Sequence, residues 1–320
     1  MIDPCTIIDS LNFNKEEDLI HILSRDKHTR IEGLFTEYFF HNEIIKDNFS
    51  DVSSGWWFSL KKGQYYISKI LTSFDTLIDF DVELFNFFVE KNHAVFLIVF
   101  EEHEKKFYYI HYKSEYSLDL TNVFNELKKE YPKNQITACI PNENERNAQR
   151  IDQAIDYLKK NDILKKCSIE RLFANCWLAN GYFWDIDYIV KYNSKYIAFE
   201  VKQKFPTAAN TWGLNVGLAN LFSYLNSIDI EVVHVILVKP IKDDTIPAID
   251  LYTKEEYKKD AKWIATEFDK IFLSNKSIAP AYTSIYGNSK LSYYNMKQEL
   301  FTMIKEVNSN QNNIITFLNQ

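Results

Sequence analysis

Asp187, Glu200 and Lys202 stand inside FWDIDYIVKYNSKYIAFEVKQK, residues 183–204, where two apolar runs are joined by Asn193-Ser194. Asn-Ser fits a tight two-residue turn, and such a turn fixes the register of the strands on either side. Asp187 then faces Glu200, and Asp185 faces Lys202. Side chains alternate along a strand, so Asp185, Asp187, Ile189, Ala198, Glu200 and Lys202 share one face. Ile186, Tyr188, Val190, Ile197, Phe199 and Val201 share the other, which reads as core.

Like charges directly opposed on a sheet, with Cβ atoms ~4.5–5.5 Å apart, destabilise it when nothing lies between them. A divalent cation removes that penalty. Mg2+ is usually bound through one or two carboxylates plus substrate phosphate, with water completing the shell. Asp187 and Glu200 are the candidate carboxylates, the Val201 carbonyl is a further candidate ligand, and Mn2+ is an alternative ion. Lys202 projects from the same face, where an ammonium can orient water or stabilise charge on a phosphate. An Asp opposite Glu-x-Lys is thus a minimal set for phosphodiester cleavage. Four other acid-x-Lys triplets (Glu104/Lys106, Glu126/Lys128, Glu256/Lys258, Asp260/Lys262) fall in a polar turn or on expected surface helices. Asp185 leaves the choice of acid open: it is either a ligand or an ion-pair partner of Lys202.

The elements that must position these residues follow from periodicity. Residues 145–160 and 168–180 are expected as helices, 183–191 and 195–202 as strands, 213–226 as a helix and 230–238 as a strand. Helices are expected near 254–273 and 290–307. That order predicts an α/β fold in the C-terminal half, a mixed sheet flanked by helices. An α+β N-terminal domain precedes it, with helices near 15–24, 31–45, 66–91 and 120–131, a hairpin over AVFLIVFEEHEKKFYYIHY (94–112), and a strand at QITACI (135–140). The polar PNENERNAQR (141–150) marks the boundary, giving domains 1–145 and 146–320. GWWF (55–58) and QYYISKI (64–70) read as core, and no internal repeat is visible.

Asp187 followed by YIV, then FEVK carrying Glu200 and Lys202, resembles the PD-(D/E)XK nuclease superfamily of restriction endonucleases and Holliday-junction resolvases. The resemblance covers roughly residues 165–240, with Ile186 in place of the family's proline. It implies a restriction-endonuclease-like core, Mg2+-dependent cleavage of duplex DNA and, by analogy, a role in restriction or antiphage defence. Many members carry a Glu on the helix before the Asp strand. SIERLFANCWLANGYF matches that helix, which makes Glu170 a further candidate ligand; the other reading of Glu170 is a charge favouring a helix N-terminus. Gln203, Lys204, Asn210, Trp212 and Asn215 follow the site and are candidate DNA contacts. An RNA-directed nuclease or effector with the same site, and a catalytically inactive nucleic-acid-binding module, are the rival readings. A homodimer is compatible with any of them.

Composition narrows the field. There is no GxxxxGK[ST], GxGxxG, HExxH or CxxC, and seven glycines leave little room for phosphate loops. Four cysteines lie too far apart in sequence to suggest a zinc site or a disulfide framework. No apolar run reaches the ~18–20 residues of a membrane span, and the acidic N-terminus lacks the pattern of a signal peptide, so a cytoplasmic protein is expected. The net charge of −7 argues against indiscriminate coating of nucleic acid. Residues 1–150 hold 17 Lys and Arg against 25 Asp and Glu, net −8, and residues 151–320 hold 20 against 19, net +1.

Overall fold

The computed structural model describes residues 4–24, 26–133, 147–178, 182–205, 210–241, 245–269, 276–280 and 290–320. In chain order the elements begin with α1 (Glu16–Ser24), α2 (His28–Phe40, continued by a π-helical turn at His41–Ile45), β1 (Val52–Ser53), β2 (Trp56–Lys61), β3 (Gln64–Leu71) and α3 (Asp79–Glu90). They continue with β4 (Ala94–Glu101), β5 (Lys106–His111), α4 (Leu120–Leu127), β6 (Lys129–Glu130), α5 (Ala148–Lys160), α6 (Leu164–Cys176) and β7 (Tyr182–Ile186). Next come β8 (Tyr188–Tyr192), β9 (Lys195–Lys204), β10 (Thr211–Asn215), α7 (Val216–Ser227), β11 (Ile230–Val238), α8 (Asp250–Thr253) and α9 (Glu255–Lys258). The chain closes with β12 (Lys262–Glu267), β13 (Lys276–Pro280), β14 (Lys290–Lys297), β15 (Thr302–Glu306) and α10 (Ile314–Leu318). This is the expected α/β class, with mixed sheets and helices. No helix among the described residues is long and apolar enough to cross a membrane.

Two compact units divide the chain, and they are not its sequential halves. The first comprises Met1–Lys27, Ser53–Ala148 and Ile155–Ile186; the second comprises His28–Val52, Gln149–Ala154 and Asp187–Gln320. A single cut at 145/146, expected from the polar segment, therefore does not describe the contacts. Residues 134–146, which include QITACI and most of that segment, lie outside the described residues.

The first unit is built on a six-stranded sheet in the order β6-β5-β4-β3-β2-β7. β2 and β3 form a hairpin turned by Lys62-Gly63, both at positive φ, and β3 runs parallel to β4 with α3 between them in sequence. The helix expected over 66–91 is thus a strand followed by a helix. QYYISKIL is rich in aromatic and β-branched residues that pack well on a pleated surface, and the helix begins only at Asp79. Trp56 and Phe58 are fully buried against α3, with the Trp56 and Phe85 rings 5.2 Å apart, so the aromatic GWWF segment is core as expected. The hairpin of residues 94–112 is present as β4 and β5. One cysteine expectation fails: Cys5 and Cys176 form a disulfide with Cα atoms 5.5 Å apart. Their 171-residue separation in sequence hid a proximity that only the fold creates.

The second unit centres on a sheet in the order β1-β8-β9-β11-β12-β15, beside a three-stranded sheet β10-β14-β13. β8 and β9 pair from Tyr188↔Phe199 to Tyr192↔Lys195 around Asn193-Ser194, which is the register expected from the turn. Both turn residues have positive φ, at 48° and 63°, as a two-residue hairpin requires. From β9 the chain passes through α7 to β11, parallel to β9. The regions expected as helices near 254–273 and 290–307 contain strands β12, β14 and β15, with only short helices before β12. Trp263, Ile264, Thr266, Tyr293 and Tyr294 suit strands, and the ladders with β11 and β13 override the helix-like spacing of the charges around them.

α2 lies on the core face of this sheet, with Phe40 packing on Phe199 and Trp263 at ring separations of 5.6 and 5.3 Å. A buried ion pair fixes the helix: Arg150 donates to both carboxylate oxygens of Glu32, at 2.8 and 2.6 Å, with side-chain exposures of 8% and 1%. Removing one partner strands a buried charge, which costs about 3–5 kcal/mol. Arg150→Met should therefore lower stability by that amount in urea unfolding. The Arg150→Met/Glu32→Met double variant should recover most of the loss.

Candidate active site

Asp187 sits between β7 and β8, one residue before the first pair of the β8–β9 ladder, and Glu200 and Lys202 follow along β9. Both acids are buried, Asp187 at 8% exposure and Glu200 at 3%. The Val201 amide donates to Asp187 Oδ2 at 2.6 Å, a charge-assisted bond that locks this carboxylate across the hairpin. Lys202 Nζ pairs with Glu200 Oε1 and lies 4.0 Å from Asp187 Oδ2. Its side chain is 40% exposed, so Lys202 is only partly covered where both acids are buried. The three residues expected to form the site are thus brought together on one face.

The electrostatics follow from burial. Removing the Lys202 ammonium from water works against its charge, but Glu200, Asp187 and Glu37 together outweigh that cost and hold its pKa above the ordinary lysine value. Glu37, on α2, is the helix acid that sequence reasoning missed. It flanks the buried stripe of Phe35, Thr36, Phe39 and Phe40, and its backbone carbonyl accepts a bond from the Tyr188 hydroxyl at 3.2 Å. Glu170 belongs instead to the first unit, on α6, where its carboxylate pairs with Lys166 at 2.7 Å.

Asp185 requires a correction. It does not face Lys202; it lies on β7 across from Trp57 of β2, in the first unit. The apolar run that reads as one strand breaks between Ile186 and Tyr188, and its two pieces join different sheets. Of the two acids, Asp187 is the one that stands beside Glu200 and Lys202.

His234 was also missed. It stands beside Glu200 in the parallel ladder, fully buried, with Nδ1 3.2 Å from the Glu200 carbonyl oxygen. Burial, reinforced by the charges of Lys204 and Lys202, holds its pKa well below the usual imidazole value. The ring is therefore neutral, and a bond from Nδ1–H to the Glu200 carbonyl places the remaining lone pair on Nε2. Read from IEVVHVILV, this residue was indistinguishable from strand filler.

The downstream candidates divide. Lys204 bonds through Nζ to the Gly213 carbonyl, and burial, then repulsion from Lys202, push its pKa down to about 8. Gln203 is half-buried next to it. Asn215 caps α7, its Oδ1 accepting from the Gly217 and Leu218 amides at 2.8 and 3.4 Å. Asn210 has a positive φ and its carbonyl accepts from the Gln298 amide. Trp212 is corrected outright: at 1% exposure it packs with Ile236, Val238 and Ile264 and edge-on to Phe301, so it belongs to the core and cannot meet DNA.

Among the described residues no group of three or more His, Cys, Asp or Glu side chains is arranged to hold a metal. The set here is a pair, Asp187 and Glu200, which suits a hard cation that takes its other ligands from water and substrate phosphate. Comparison with protein-family models, curated proteins and solved structures found no match. The functional reading therefore rests on the chemistry of these side chains.

Proposed function

We propose that the second unit is a Mg2+-dependent nuclease that hydrolyses phosphodiester bonds of duplex DNA, in the manner of the PD-(D/E)XK superfamily. The observation that carries this reading is the pairing of two buried carboxylates, Asp187 and Glu200, with the ammonium of one half-buried lysine, Lys202. A fold has little structural reason to bury two acids together. Like charges in one pocket are costly unless a cation is shared between them.

Mg2+ or Mn2+ held by Asp187 and Glu200 would supply Lewis-acid stabilisation of phosphate charge and a lowered water pKa. The chain's own residues divide the remaining work. The Val201 amide holds Asp187, and neutral His234 holds the strand backbone at Glu200, so the two carboxylates are preorganised. Lys202, whose side chain is 40% exposed, can turn from Glu200 to orient a water or neutralise a phosphate oxygen. Water oxygen bonds to phosphorus, the P–O3′ bond breaks and the 3′-oxygen takes a proton, leaving a 5′-phosphate. Restriction or antiphage defence is the context suggested by the family.

RNA is the closest rival substrate, since nothing at the site is specialised to read a 2′-hydroxyl. Incubating the purified protein with plasmid, linear duplex, single-stranded DNA and RNA in Mg2+ distinguishes the two. Duplex DNA is expected to be cut in preference to RNA of the same sequence. The reverse preference would make the protein a ribonuclease.

A further inference from the structure

The stretches from α1 to β6 and from α5 to β15 share a common order of elements, although no repeat is visible in the sequence; β10, α8, α9, β13 and β14 are additions to the second, and α4 to the first. α1 and α2 are joined through residues 25–27, and α5 and α6 through residues 161–163, a three-residue connection in both cases. α2 and α6 each have 13 residues, and α3 and α7 each have 12. The hairpins β2–β3 and β8–β9 both turn on two residues at positive φ, Lys62-Gly63 and Asn193-Ser194. After α3 and α7 the chain enters the parallel strand through one positive-φ residue, Asn92 (63°) and Asp229 (67°), and an antiparallel strand follows. The sheet orders correspond: β7-β2-β3-β4-β5-β6 and β1-β8-β9-β11-β12-β15.

The second helix and the edge strand of each repeat are exchanged. β1 precedes β2 but joins the sheet beside β8, and β7 precedes β8 but pairs with β2. α2 is counted with the second unit and α6 with the first. Thus Ser168 of α6 bonds to the Leu19 carbonyl of α1, and Arg150 of α5 bonds to Glu32 of α2. Such an arrangement is what a helix-exchanged dimer becomes when its two copies are joined in one chain.

The correspondence assigns a residue to each site position. Lys69 and Glu200 are both the sixth residue after their hairpin turns, and their parallel-strand partners, Leu97 and His234, are both the fifth residue after Asn92 and Asp229. The two counts agree. Trp56 therefore stands for Asp187, Lys69 for Glu200 and Leu71 for Lys202. In the first unit a lysine stands at the position that an acid holds in the second. Lys69, 4% exposed, donates from Nζ to Asp81 Oδ1 at 2.6 Å, to Ser53 Oγ at 2.9 Å and to the Ser54 carbonyl at 2.5 Å. An ammonium has three donors, and here all three have acceptors.

We infer that this protein is a tandem duplication of one nuclease-type fold in which the first copy carries a fixed internal cation, Lys69, in place of a metal site, so that each chain holds a single phosphodiester-cleaving centre. The inference rests on the nuclease reading of the second unit. The trade is chemically consistent: Asp81 on α3 balances Lys69, whereas the α7 position that corresponds to Asp81 is Leu218, leaving the second unit's acids for an exchangeable cation.

Calorimetric titration of the full chain with Mn2+ tests it, using wild type, Asp187→Asn/Glu200→Gln and Lys69→Met/Asp81→Leu. All specific Mn2+ binding should vanish in the first variant and persist unchanged in the second. Specific Mn2+ binding that persists in Asp187→Asn/Glu200→Gln would show a second working cation site and overturn the inference alone. A wild type that binds no Mn2+ would overturn the nuclease reading and this inference with it. The decisive measurement uses the Asp187→Asn/Glu200→Gln protein, so it stands even if the Lys69→Met/Asp81→Leu variant does not fold.

Discussion

Lys202→Ala is expected to slow single-turnover DNA cleavage by ~10²–10³ while leaving DNA affinity near wild type. The loss would come from a preorganised charge rather than from the fold, because the Lys202 side chain is 40% exposed and is no part of the apolar core. A second signature separates this role from an ordinary surface salt bridge, which is worth ~0–1 kcal/mol. Without Lys202, Asp187 and Glu200 remain buried with no ammonium between them, and in EDTA that repulsion should lower the melting temperature. Adding Mn2+ should restore it. A surface pair would show a small loss of stability insensitive to the ion, and an unchanged cleavage rate. Asp185 no longer competes as the partner of Lys202, since it pairs across to Trp57; Asp185→Asn is the matched control and should cut normally.

Asp187→Asn and Glu200→Gln are each expected to reduce Mg2+-dependent cleavage to background. Both substitutions keep volume and shape while removing a ligand charge. Asn at 187 can still accept the Val201 amide, so the hairpin should hold its register and the variant should remain folded. Removing one of two opposed acids also relieves repulsion, so in EDTA either variant should melt no lower than wild type. Lower activity with unchanged or higher stability is the pattern of a functional site whose strain is kept for chemistry. Urea denaturation beside the cleavage assay reads both quantities. A large loss of stability in either variant would instead mark the acids as structural.

The β8–β9 hairpin was legible because its information is local. Asn193-Ser194 and the period-two alternation determine the β8–β9 register, and so the company of Glu200 and Lys202, without reference to the rest of the chain. β11 was readable as a continuous apolar run, and α7 was readable apart from its first turn, where residues 213–215 belong to β10. What failed was non-local. Glu170 lies on the helix that immediately precedes the strand in sequence, yet that helix is counted with the first unit, and the acid beside Lys202 is Glu37, from a helix far upstream. Sequence order cannot disclose an exchange of segments between repeats. The break at Asp187 was hidden for a related reason: FWDIDYIV alternates as smoothly as a single strand, and only pairing with β2 on one side and β9 on the other divides it. Trp212 misled because an aromatic in a polar stretch looks like a contact residue, whereas a short edge sheet buries it. His234 gave no signal, since a histidine inside an apolar strand is recognisable only by what it touches.

The central claim, that Asp187 and Glu200 form a cation-dependent phosphodiesterase centre, is tested most directly by cleavage of end-labelled duplex DNA. Wild type and Glu200→Gln would be compared in Mg2+ and in EDTA, from one preparation each. Wild type should cleave in Mg2+ alone, with 5′-phosphate ends, and Glu200→Gln under neither condition. Equal cleavage by the two proteins, or cleavage by wild type that persists in EDTA, would contradict it.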